Sequence, residues 1–82
     1  MDDPLCGRRV PTEIDRHVGA RLRLRRRNLG MTEENLAVAV GLTFQQIREY
    51  EAGQTRVPAP RLYDLARALT VSIAYFFDGL PD

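Results

Sequence analysis

The chain has 82 residues but only one cysteine, Cys6, and one histidine, His17. A lone thiol closes no internal disulfide, and one imidazole beside it makes no cluster with metal-ligand spacing. A disulfide scaffold and a zinc module are therefore excluded. Nothing orients Cys6 and His17 toward each other as a thiol–imidazole dyad. No apolar run approaches the roughly 18 residues of a membrane span. Asp2, Asp3 and Pro4 follow Met1 with no apolar stretch behind them, which predicts no secretory leader. A Gly-rich phosphate loop is missing, and Asp64, Glu33 and Glu49 form no evident acid–base pair. The expectation is a protein that is not an enzyme and uses no cofactor and no metal.

Lysine is also absent: all 12 basic residues are arginine. The net charge is only +1, yet residues 8 to 27 carry eight arginines against Glu13 and Asp15. Hydrophobic residues at 44% and charged residues at 28% suit one folded domain rather than a disordered chain. Pro4, Gly7 and Pro11 interrupt the first thirteen residues, which predicts a flexible arm over 1–13. From Ile14 the pattern is helical, with Ile14, Val18, Leu22 and Leu29 on one face and Gly30 ending the tract. Thr32 caps a second helix with Leu36, Ala37 and Val40 inward, and Gly41 stops it. Thr43 caps a third, with Ile47 and Tyr50 inward, closed by Gly53. Pro60 opens a fourth, whose core face is Leu62, Leu65, Ala66 and Leu69. Ser72 caps a short fifth, with Ile73, Phe76 and Phe77. The expectation is an all-α domain of five helices over 14–78, with a tail at 79–82.

The second and third helices are joined by three residues and must cross steeply. Ala37 is small where they approach, Gly41 can take positive φ at the turn, and Ile47 plugs the angle. This spacing fits a helix-turn-helix, whose second helix enters the major groove; an ordinary αα-corner uses the same small residues. Five stretches carry a more specific pattern: Val18 to Arg23, Gly30-Met31-Thr32, Gly41 to Ile47, Tyr50-Glu51-Ala52-Gly53, and Leu65 to Leu69. Over residues 14 to 77 the chain resembles the lambda-repressor/Cro-like regulators, also called the xenobiotic-response-element family.

The resemblance implies double-stranded DNA as partner and Gln45 and Gln46, in the first turn of the recognition helix, as base readers. A glutamine amide offers the donor and acceptor that match adenine N6 and N7. Phe44 either meets a thymine methyl group or packs on the start of the second helix. Glu49 either accepts from cytosine N4 or weakens binding. By position and chemistry Thr43, Arg48 and Arg56 match the family's phosphate contacts. Glu33 stands where the family usually has glutamine, an acid facing phosphate whose repulsion the helix N-terminus partly offsets. Arg26 and Glu51 are implied as a structural ion pair. In the basic stretch Leu24 falls opposite the core and Arg25 on it, so Arg25 is expected to snorkel outward. The remaining arginines are a solvated face, and Arg8 and Arg9 belong either to a plain tail or to a minor-groove arm.

These residues describe a cytoplasmic, nucleoid-associated transcriptional regulator. It is expected to act as a homodimer on a two-part site, with Tyr75, Phe76, Phe77 and Leu80 as the dimer contact. Two other readings share the fold: an antitoxin that binds a toxin and its own operator, and a protein-interaction module that has lost DNA binding.

Overall fold

The computed structural model describes residues 12–80. Four α-helices and one 3-10 helix follow in order: α1 over Glu13–Asn28, α2 over Glu33–Val40, α3 over Phe44–Glu51, α4 over Ala59–Leu69, then the 3-10 helix Ile73–Phe77. The five-helix expectation is corrected at its last element. Ser72 makes no side-chain cap there, and the backbone turns extended at Asp78 after only five residues. So short a segment gains too few i→i+4 bonds to repay helix nucleation. The expected arm lies outside the described residues with Cys6, Arg8 and Arg9, except for its last two positions: Thr12 caps α1, and Glu13 begins it.

Three threonines set the frame. Thr12, Thr32 and Thr43 each accept from the backbone N–H three residues on, and Asp15, Asn35 and Gln46 return the bond to the cap N–H. These capping boxes fix where α1, α2 and α3 begin.

Helix α1 packs against α3 and the 3-10 helix, while α2 packs against α3 and α4. Their shared core is Val18, Leu22, Leu36, Ala37, Ile47, Tyr50, Leu62, Leu65, Ala66, Leu69 and Phe76. Ile14 and Leu29, expected inward, are 52% and 42% exposed. Ile73 and Phe77 are also exposed, since the 3-10 helix buries only Phe76. Gly19 allows the closest approach. A Cβ there would stand 2.8 Å from the Glu51 carbonyl oxygen and nearer still to that of Tyr50.

The arginines of α1 divide by partner. Arg21 Nε donates to the Tyr75 carbonyl at 2.9 Å, and its guanidinium lies 3.9 Å from the centre of the Tyr75 ring. The Tyr75 hydroxyl donates back to the Arg21 carbonyl at 3.2 Å. Arg25 does not snorkel outward; its Nε donates at 2.9 Å to the Leu69 carbonyl, at the negative end of α4. Leu24 is exposed, as its place opposite the core requires. His17 Nε2 donates to the Asp78 carbonyl at 2.6 Å and ties the end of the described chain to α1. Much of the basic stretch therefore fastens the fold instead of forming a solvated face.

Candidate nucleic-acid interface

The crossing of α2 and α3 is built by Gly41 and Thr43. Gly41 sits at φ 71° and ends α2, a conformation that costs residues with a Cβ. Leu42 N–H bonds back to the Ala37 carbonyl at 2.9 Å, and Thr43 then starts α3. Ile47 is fully buried beneath the crossing, and Tyr50 is buried one turn on. Helix α3 is held from below and shows its other face to solvent.

That face carries Phe44, Gln45 and Arg48, all exposed, with Glu49 half-buried. Gln45 Nε2 donates to Glu49 Oε2 at 3.3 Å. Arg48 stands 5.3 Å from the centre of the Phe44 ring, and its Nε is 4.0 Å from Glu33 Oε1. Phe44 thus carries a cation on its ring face while remaining 38% exposed. Glu33 faces a cation of its own protein, which reduces the repulsion that an isolated acid there would present.

Gln46, expected as a base reader, is partly engaged within the protein. Its Oε1 accepts from Thr43 N–H at 3.0 Å and from the Thr43 hydroxyl at 3.2 Å, so half its amide is spent on the cap. The third residue of any Thr-capped helix meets this competition, and a glutamine there satisfies it. Arg56 is likewise engaged. Its Nε and Nη2 donate to Asp15 at 3.2 and 3.4 Å, although the side chain stays 52% exposed. Burial pushes the Asp15 carboxyl up, but the Thr12 backbone and the Arg56 guanidinium outweigh it and hold it below the usual range. Asp15 was missed from sequence as an Arg56 partner, being 41 residues away; its position three after Thr12 was the one available signal.

Arg26 and Glu51 form the expected pair, buried and bidentate, at 2.5 Å from Nε and 3.0 Å from Nη2. Arg26 Nη1 also donates to the Met31 carbonyl at 2.8 Å, joining the α1–α2 turn to the end of α3. Burial pushes the Glu51 carboxyl up, Arg26 pulls it back, and nearby Glu33 adds to the upward push. Arg26 itself is held firmly protonated by Glu51.

Of the expected dimer contacts, Phe76 is fully buried in its own core and cannot serve. Tyr75 is half-buried and committed to Arg21, Leu80 is half-buried, and Phe77 is 40% exposed. Phe77 shares an apolar hollow of about 300 Å³ with Ile14, Val18, Val57 and Leu62. Among the described residues no group of His, Cys, Asp and Glu could hold a metal ion, and no helix is long and apolar enough to cross a membrane.

Residues 22–76 match the family model described as helix-turn-helix. An uncharacterised HTH-type transcriptional regulator of Rhizobium meliloti is 47% identical over 74 residues, covering 90% of this chain and 53% of that protein. The chain therefore spans about half the length of that relative. Among solved structures, the restriction-modification controller protein C.AhdI of Aeromonas hydrophila aligns with a TM-score of 0.73 and 32% identity, covering 76% of this chain and 94% of that one. The DNA-binding domain of the c2 repressor of phage P22 aligns with a TM-score of 0.72 and 31% identity, covering 76% and 82%.

Proposed function

The chain belongs to the helix-turn-helix family, of the lambda-repressor/Cro-like kind, and we propose that it regulates transcription by sequence-specific binding of double-stranded DNA in the cytoplasm. The observation that carries this reading is the outward face of α3, held rigidly on Ile47 and Tyr50 and presenting Phe44, Gln45 and Glu49 where a groove would lie. Thr43 and Arg48 flank that face and supply the phosphate contacts. The controller and repressor domains that align with the chain support the same role. One such module makes few contacts, so it acts as a homodimer whose two recognition helices enter major grooves about 34 Å apart. Phe77 and Leu80 are the exposed and half-exposed apolar residues available to that contact.

Binding of Gln45→Ala and Arg48→Ala to selected DNA, over a range of salt, tests the reading. Gln45→Ala should lose about 1–3 kcal/mol on the best site and relax the preference at one base pair per half-site. Arg48→Ala should weaken every sequence alike and flatten the salt slope by about one. Arg56 is the poorer probe, because its removal also strips Asp15 of its partner. A wild-type protein with no preference among sequences at moderate salt would overturn base reading and favour an interaction module. Light scattering showing a monomer at high micromolar concentration, with and without DNA, would overturn the dimer.

A further inference from the structure

From Arg21 onward the arginines of α1 fall into two groups. Arg21, Arg25 and Arg26 each donate to an acceptor within the fold. Arg23 and Arg27 are exposed, and neither makes a hydrogen bond or an ion pair among the described residues. Their surroundings differ. Arg23, one turn before Arg26, lines an open cleft of about 340 Å³ with Arg26, Glu33, Arg48, Glu51 and Ala52. That cleft joins α1 to the start of α2 and the second half of α3. Arg27 does not line it.

Three arginines meet two glutamates in the cleft, and four of these five charges are matched. Arg26 holds Glu51 as a buried bidentate pair, and Arg48 Nε lies 4.0 Å from Glu33 Oε1. Arg23 is left as the uncompensated positive charge. A guanidinium is always charged, and its planar fork presents parallel N–H groups that match phosphate oxygens. Arg48, another wall of the same cleft, is the residue that meets the DNA backbone in the function proposed above. A DNA strand carries one phosphate for about every 3.4 Å of duplex axis, so a backbone that meets Arg48 brings further phosphates past the cleft. We propose that Arg23 is a further DNA-backbone contact, holding a phosphate next to the one held by Arg48. The proposal rests on the DNA-binding role proposed above and extends its footprint from α2 and α3 to the first helix. Arg23 carries no base preference in this role; it fixes how the duplex lies against α1.

Salt titration of binding to the best selected duplex, and to duplexes with single base changes, tests this with wild type, Arg23→Ala, Arg23→Lys and Arg67→Ala. Arg23→Ala should weaken all these duplexes alike, by about three- to tenfold at about 0.1 M salt, and flatten the salt slope by about one. Arg23→Lys keeps the charge and should restore the slope. Arg67, exposed on α4 and outside the cleft, is the control for net charge, and its removal should leave the slope unchanged. Arg23→Ala combined with Arg48→Ala should flatten the slope by about two, since the two arginines meet different phosphates. A wild-type slope in Arg23→Ala, or equal flattening in Arg67→Ala, overturns the Arg23 contact and leaves DNA binding intact. A double variant that loses only about one unit of slope overturns the separate phosphate. A wild type that binds none of the duplexes overturns DNA binding itself, and the Arg23 contact with it.

Discussion

Replacing Arg26 by alanine removes three hydrogen bonds at once. Two go to Glu51, and the third goes to the Met31 carbonyl. The Glu51 side chain is only 4% exposed, so the stranded carboxylate cannot recover its solvation. Breaking a buried pair from one side costs about 3–5 kcal/mol. An 82-residue domain has about 4–12 kcal/mol in total, so Arg26→Ala should forfeit about a quarter of its stability at the least. The melting temperature should fall by roughly 12–40 °C. Arg23→Ala, one turn away and exposed, is the control and should shift it by no more than a few degrees. The pair is not irreplaceable, because burial works against the Glu51 charge even with Arg26 in place. Arg26→Met combined with Glu51→Leu should therefore recover most of the loss, within about 1 kcal/mol for the freed Met31 carbonyl. Thermal unfolding followed by circular dichroism measures all three variants. Equal small shifts for Arg26→Ala and Arg23→Ala would refute the assignment of a buried pair. A double variant as unstable as Arg26→Ala would refute the claim that the stranded charge is the source of the cost.

Two further predictions concern α1. Gly19→Ala should destabilise by about 1–3 kcal/mol in urea titration, because its Cβ meets the Glu51 and Tyr50 backbone carbonyls and not a flexible side-chain end; Ala20→Gly, on the exposed face, should lose no more than about 1 kcal/mol. Asp15 is held below its unfolded pKa of about 3.9 by Thr12 and Arg56, so its contribution to stability is complete above that value and disappears as pH falls through the lowered folded pKa. The stability difference between wild type and Asp15→Asn, measured by urea titration from pH 7 down to pH 2, should therefore shrink at the acid end; a difference that stays constant would contradict the lowered pKa.

The residues that could be placed from sequence are those whose neighbours in the chain decide their role. A threonine before an apolar run can hardly do other than cap, and the starts of α2 and α3 fall where Thr32 and Thr43 indicate. The α2–α3 turn was legible because three residues joining two short helices leave few backbone solutions, and Gly41 supplies the one observed. Ile14 and Leu29 were misjudged because periodicity tells which face a residue shares, not how completely that part of the face is covered. The arginines of α1 were harder still. Arg21 and Arg25 bond to carbonyls 54 and 44 residues away, and no local signal distinguishes a helix end that needs a donor from one that does not.

Competition for hydrogen-bonding groups explains the remaining differences at the site. Residue type states what Gln45, Gln46 and Arg56 are able to bond, but each has a partner within the protein that claims part of that capacity first. Glu33 is the converse case. Taken alone it is an acid where the family resemblance implies a phosphate contact, and binding should suffer for it. Its carboxylate instead lies 4.0 Å from Arg48 Nε, and Arg48 rests over Phe44. Both side chains keep solvent contact, at 60% for Arg48 and 26% for Glu33, so the pair contributes little to stability. It acts instead on where the guanidinium sits. On the proposed reading, a phosphate arriving beside Arg48 would compete only with a weak partner at the edge of contact distance. On that reading Glu33 is compatible with DNA binding, because Arg48 stands one turn into α3 to answer it.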